Sequence, residues 1–162
     1  MYGKQEVYQF LKENQISHEI KEHDAVFTID EVKELGIDEG EIIAKNLFLR
    51  NPKGDRHFLV VVTEDKRVDL KKLAECLHSG KLSFASEERL MKYLGLTKGS
   101  VSPFGILNDT EKAVEVIFDR DLHHVARFGV HPNDNTASVF LAVDDLEKII
   151  TSHGNLFQYL TI

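Results

Sequence analysis

Ile43-Ala44-Lys45-Asn46-Leu47-Phe48-Leu49 is an apolar run of strand length with a lysine at its centre. Branched and aromatic residues bounded by turn formers predict a buried strand. Burying an ammonium is costly unless an anion or a ring of acceptors meets it, so a lysine in the middle of such a strand needs a reason. Three reasons are open from the strand alone. The strand lies at a sheet edge and the lysine blocks unwanted pairing, the stem snorkels out to water, or the charge serves a ligand.

Downstream, Asn51-Pro52-Lys53-Gly54 reads as a turn and residues 57–63 (His-Phe-Leu-Val-Val-Val-Thr) as a second buried strand, so the two runs should form a hairpin. Asp69 is placed to cap a helix over 70–77, with Leu70, Leu73, Ala74 and Leu77 inward. Cys76 lies one step off that stripe and is expected to be partly buried and inert. Residues 81–85 make a short strand, and Ser86 caps a helix to Leu94 with Leu90 and Leu94 inward and Arg89 and Lys92 outward. Residues 95–108, with three glycines and Pro103, predict an extended loop. Then come a strand over 113–119, a turn of helix over 121–126, a polar loop over 127–135 and a strand over 136–143. Asp144 with Glu147 suggests a capping box for a last helix to about His153, and residues 156–162 should close a sheet edge.

Upstream, Val7, Phe10 and Leu11 give residues 5–14 a helical stripe, and residues 16–21 follow as a short polar strand. Thr28 with Glu31 forms a capping box for a helix to Leu35, stopped by Gly36. Six to seven strands interspersed with four helices predict one α/β (α+β) domain over residues 1–162, its mixed sheet flanked by helices.

Composition narrows the function. A chain of 162 residues with 42% hydrophobic and 29% charged side chains can bury one core without staples. No apolar run approaches the roughly 18 residues of a membrane span, and the N-terminus lacks a signal peptide's apolar stretch, so a cytoplasmic protein without membrane contact is expected. One cysteine excludes an internal disulfide and a thiolate metal cage. The net charge is −7, but residues 43–98 hold 12 basic and 7 acidic side chains, against 4 and 11 before them and 4 and 9 after. A local positive surface on an acidic chain suits contact with one phosphate-bearing end, not the wrapping of a DNA duplex. His18 and His23 among Glu19, Glu22 and Asp24 lack compact ligand spacing and read as solvated side chains, and the adjacent pair His123-His124 should diverge on any regular element and is not expected to bind a metal. No nucleophile elbow, phosphate-binding loop or zinc helix is present. What remains is Lys45 and two glycine- and proline-bearing loops able to aim backbone N–H groups at a carbonyl or phosphate oxygen.

Lys45-Asn46-Leu47-Phe48-Leu49, Phe58-Leu59-Val60-Val61-Val62, Val68-Asp69-Leu70-Lys71, Leu82-Ser83-Phe84-Ala85-Ser86 with Glu88-Arg89-Leu90, Gly99-Ser100-Val101-Ser102-Pro103-Phe104-Gly105, and His131-Pro132 before Asn135-Thr136-Ala137 together resemble the YbaK/ProX superfamily, including Asp24-Ala25-Val26-Phe27-Thr28 near the N-terminus. Within it the chain is most similar to the free-standing ProX type. That resemblance implies a YbaK-like fold and a trans-editing hydrolase that deacylates mischarged tRNA(Pro), with alanine the first candidate and cysteine or another small residue the alternative. A non-catalytic paralogue that binds tRNA or a synthetase is the rival of another class. The implied partners are the acceptor end of mischarged tRNA(Pro) and prolyl-tRNA synthetase, with no cofactor and no metal.

Carried over by position, the resemblance assigns catalysis to Lys45, Gly129 and His131. It assigns substrate binding to Asn46, Val26, Phe27, Thr28, Ser102, Pro103, Phe104 and Pro132. Lys45 would engage the RNA end as a desolvated point charge, and the backbone of residues 129–132 would position the carbonyl. The run Phe128-Gly129-Val130-His131-Pro132-Asn133-Asp134 departs from the Asn-Phe-His-Pro-Leu-like run of many ProX-type relatives, which bears on the amino acid preferred more than on the reaction.

Overall fold

The computed structural model describes residues 1–24 and 41–162. At its centre the lysine-bearing run forms β2 (Ile42–Arg50), paired antiparallel with β3 (His57–Thr63) from Ala44↔Thr63 to Arg50↔His57. Every residue of β3 except Thr63 is buried. Alternation sends Phe48, Leu59 and Val61 into a large core on one face and Leu49, Phe58, Val60 and Val62 into a smaller one on the other. A sheet covered on both faces explains why these strands read as continuous apolar runs.

Helices supply the covers. On the larger core lie α1 (Lys4–Glu13), α3 (Glu87–Leu94) and α4 (Val143–His153), contributing Val7 and Leu11, Leu90 and Leu94, and Leu146 and Ile150. The smaller core is closed by α2 (Leu70–Leu77) through Leu73 and Leu77. The Asp69 carboxylate accepts from the amides of Lys71 and Lys72, and the Ser86 hydroxyl from that of Arg89, so α2 and α3 begin where those two caps predict. The remaining strands are β1 (Glu19–Glu22), β4 (Ser83–Phe84), β5 (Val114–Asp119), β6 (Phe128–Val130), β7 (Ala137–Leu141) and β8 (Phe157–Leu160). The sheet runs β1-β7-β6-β2-β3-β5-β8, with β4 also on β2. It is mixed, as expected: β2–β6, β3–β5 and β5–β8 are parallel and the others antiparallel.

One consequence of this order positions the site. The β2 edge facing away from β3 is shared between two short strands, β6 beside Ile42 and Ile43 and β4 beside Leu49 and Arg50. Hydrogen bonding extends the β4 side only to the Phe48 carbonyl, which accepts from the Ala85 amide at 2.9 Å. Between them, near Asn46, no strand among the described residues pairs with β2, which leaves a gap. The Ile43 carbonyl accepts from the Glu64 amide at 2.9 Å and so faces β3, and alternation then turns the backbone groups of Asn46 into the gap.

Several expectations are corrected. Among the described residues eight strands form, not six or seven, because part of the anticipated 127–135 loop is β6. Gly129 makes that pairing feasible: a Cβ there would lie 2.6 Å from Ile43 Cδ1 and 2.7 Å from Phe140 Cε1. The 95–108 loop closes as a 3-10 helix over Pro103–Asn108, its first amide held by the Ser102 hydroxyl. The last helix starts at Val143 with Ala142 at its N-cap and so without a side-chain cap; Asp144 lies inside the first turn and meets His124 at 3.2 Å. Cys76 is exposed, and Arg89 turns back to the Gly54 carbonyl at 3.1 Å where an outward side chain was expected. The anticipated 28–35 helix lies outside the described residues.

Candidate active site

The gap beside β2 opens into a cavity of about 620 Å³, the scale of a small-molecule site. Ala44, Lys45 and Asn46 form its wall on β2, Ser86 and Leu90 close it from α3, and Lys98, Gly99, Val101 and His131 come from the two loops. Lys45 and both loops therefore meet at one place.

The Lys45 backbone faces β3, where it pairs with Val62, so Lys45 is not an edge gatekeeper. Its side chain is half-buried, and the amine donates to the carbonyl of Lys66, in the turn after β3. Lys66 is itself anchored: its own ammonium meets the buried Asp119 carboxylate at 2.6 Å and that of Asp121 at 2.9 Å. These hydrogen bonds, Asp119 foremost, raise the Lys66 pKa. A fixed carbonyl thus holds the Lys45 amine by one hydrogen bond, and an ammonium has three to give.

Asn46 Nδ2 donates to the Val101 carbonyl at 3.1 Å and ties β2 to the first loop. Its Oδ1 is buried with no hydrogen-bond partner among the described residues. A buried acceptor without a donor is rare in a folded protein and is a ready point of contact for a ligand N–H or O–H.

His131 is oriented by a carbonyl. Its Nδ1 lies 3.0 Å from the Ala137 oxygen, so Nδ1 carries the proton and Nε2 presents a lone pair. Burial lowers its pKa, which favours this neutral form. The Ser102 hydroxyl donates to the His131 carbonyl while accepting from the Phe104 amide at 3.1 Å, stitching the loops together. Asn133 adds a second stitch, donating to the carbonyls of Tyr2 at 2.9 Å and Phe104 at 3.3 Å.

Of the residues singled out from the sequence, Lys45, Asn46 and His131 line the cavity. Gly129 does not; it lies under Ile43 and Phe140 within β6. Ser102, Pro103, Phe104 and Pro132 are buried behind the cavity wall and shape the loops. Val26, Phe27 and Thr28 fall outside the described residues. Sequence reasoning missed Lys98, Gly99 and Val101, taking the wall from the second half of Gly99-Ser100-Val101-Ser102-Pro103. The available signal was the Ser-Pro pair, which caps the inward 3-10 helix and leaves Lys98 exposed and Gly99 and Val101 half-buried before it. Among the described residues no group of three or more His, Cys, Asp or Glu side chains gathers as metal ligands would, and no helix is long and apolar enough to cross a membrane.

Comparison with known proteins places the chain in a family. Residues 23–149 match the family model described as the aminoacyl-tRNA editing domain. The chain is 50% identical over 162 residues to the prolyl-tRNA editing protein ProX of Acetoanaerobium sticklandii, covering 100% of this chain and 99% of that one. It is 32% identical over 149 residues to prolyl-tRNA synthetase associated domain-containing protein 1 of Danio rerio, covering 91% of this chain and 80% of that one. In fold it superposes with a TM-score of 0.71, at 21% identity, on the crystal structure of a candidate trans-editing enzyme for prolyl tRNA synthetase, covering 100% of this chain and 99% of that one.

Proposed function

Because the chain belongs to the aminoacyl-tRNA editing domain family, we propose that it is a deacylase that hydrolyses the ester of a small amino acid, alanine first, mischarged onto tRNA(Pro). The observation that carries this reading is the cavity at the β2 gap, where Lys45, Asn46 with its unpartnered Oδ1, and neutral His131 converge.

An aminoacyl ester is already activated, and the neighbouring ribose hydroxyl helps to organise the attacking water. The enzyme has to hold the ester, stabilise the oxyanion and exclude the wrong side chain. In this reading the Lys45 ammonium meets the terminal phosphate or ribose, keeping its bond to the Lys66 carbonyl. Asn46 Oδ1 accepts from the amino group or a ribose hydroxyl, and the loop backbones at Gly99 and His131, which line the cavity, face the ester carbonyl. His131 Nε2 accepts a hydrogen bond from the water or the vicinal hydroxyl.

Such an enzyme is needed because a synthetase pocket shaped for proline cannot strongly reject alanine; a few missing methylenes are worth about 1–3 kcal/mol. A second site that admits only what is smaller completes the double sieve. At about 620 Å³ the whole cavity exceeds one small side chain, so it would seat the terminal ribose as well, and discrimination belongs to its amino-acid end. The place of action is the cytoplasm, on the acceptor end of tRNA(Pro), with prolyl-tRNA synthetase as a candidate partner.

The test is a single panel: purified protein against alanyl, cysteinyl and prolyl esters of the same tRNA. Hydrolysis of the alanyl ester with the prolyl ester spared supports the reading, and faster cysteinyl hydrolysis changes the amino acid. No hydrolysis above background of any ester overturns it in favour of a binding protein.

A further inference from the structure

The cavity mouth carries a side chain to which the reading above gives no role. Phe84 lines the cavity, yet it is 63% exposed. Its backbone is nevertheless firmly held: Phe84 pairs with Leu49 of β2, the next residue donates from its amide to the Phe48 carbonyl, and Ser86 caps α3. A ring on a clamped backbone, left in water at the rim of a cavity that holds Lys45 and Asn46, is preorganised for a flat partner.

Its position says which partner. Paired residues on antiparallel strands share a face, so Phe84 emerges with Leu49, and Lys45 lies on that face four residues back along β2, about 13 Å away at a strand's rise. Lys98 also lines the cavity and is exposed. In the other direction the chain just before Phe84 borders an apolar groove of about 850 Å³ along α2, with the exposed Lys71 and Lys81 on its lip. An exposed aromatic between an anion-seeking lysine and a lysine-rimmed groove fits a planar heterocycle tethered to phosphates, that is, an unpaired nucleobase.

Resting on the deacylase reading, we propose that Phe84 is the stacking platform for the base of the terminal nucleotide that carries the ester. The ring fixes the base, Lys45 takes the phosphate or ribose, and the acyl group is thereby delivered into the gap. Phe84 acts in binding and leaves the hydrolytic step to the cavity.

The experiment compares wild type, Phe84→Ala, Phe84→Leu and Phe84→Tyr on alanyl-tRNA(Pro) and on the same RNA acylated on a terminal abasic ribose. Loss of one stack raises KM roughly ten-fold in the Ala and Leu variants while kcat holds, and Tyr restores KM. On the abasic substrate all four proteins are equal. Unchanged KM in Phe84→Ala, Leu performing as well as Phe, or a loss confined to kcat overturns the proposal. Anisotropy binding of the uncharged RNA end runs in parallel. If wild type hydrolyses nothing, the deacylase reading fails by itself, and equal RNA binding by wild type and Phe84→Ala still overturns the platform. A defect of Phe84→Ala seen only in capture of a synthetase overturns it too.

Discussion

Lys45 is the side chain on which the deacylase reading depends most. In the Lys45→Ala variant the half-buried position loses an ammonium and gains an apolar stub, so the fold should survive. Deacylation of alanyl-tRNA(Pro) should fall by two orders of magnitude or more, on the order of the loss when a preorganised charge-stabilising donor is removed. Single-turnover rates beside a thermal melt check both halves. His131 makes a separate prediction. Burial holds its pKa below the ordinary histidine value, and the Nε2 lone pair is used only in the neutral form. Activity should therefore persist as pH falls below about 6.5, the ordinary value, and decline only through the lowered pKa. His131→Ala should lose that acid limb along with most of its rate, and a pH–rate profile of both proteins decides it.

At the scale of elements, the site exists because β6 and β4 are too short to cover β2. Gly129→Ala drives a methyl against Ile43 and Phe140 and should cost about 1–3 kcal/mol, the usual penalty of overpacking. It should also shift β6 against the His131 loop, so chemical denaturation and turnover should both register it. The β2–β3 hairpin has its own lock. Arg89 reaches from α3 to the Gly54 carbonyl and to His57 Nε2, each at 3.1 Å, and Gly54 adopts φ of +72°, which its lack of a Cβ allows. His57 is buried between Phe48 and Tyr93, and burial first, then Arg89, pushes its pKa down to about 4. The folded state favours the neutral imidazole, so its contribution is complete above the unfolded value of about 6.5 and is lost as pH falls from there towards 4. The loss should reach at most about 3 kcal/mol. Urea unfolding at pH 7 and pH 4.5 should show a smaller decrease in His57→Gln than in wild type.

For the whole molecule, a net charge of −7 coexists with a basic middle third that supplies most of the cavity's lining. A contact made by a few lysines on an acidic body should be brief and salt-sensitive: KM for alanyl-tRNA(Pro) should rise steadily with salt, with a log–log slope set by those few charges. A flat salt response would remove the phosphate contacts from the account. The amino-acid sequence by itself determined the hairpin, the caps at Asp69 and Ser86, the mixed single-domain sheet and the suspicion attached to Lys45, because periodicity, capping and the cost of a buried charge are local properties. Only the tertiary structure decided that β2 lies inside the sheet, that Gly129 is a packing residue, and that Lys98, Gly99 and Val101 reach the cavity. Strand order, a shared edge and a loop's inward turn depend on pairings between residues far apart in the chain, and local pattern carries no record of them.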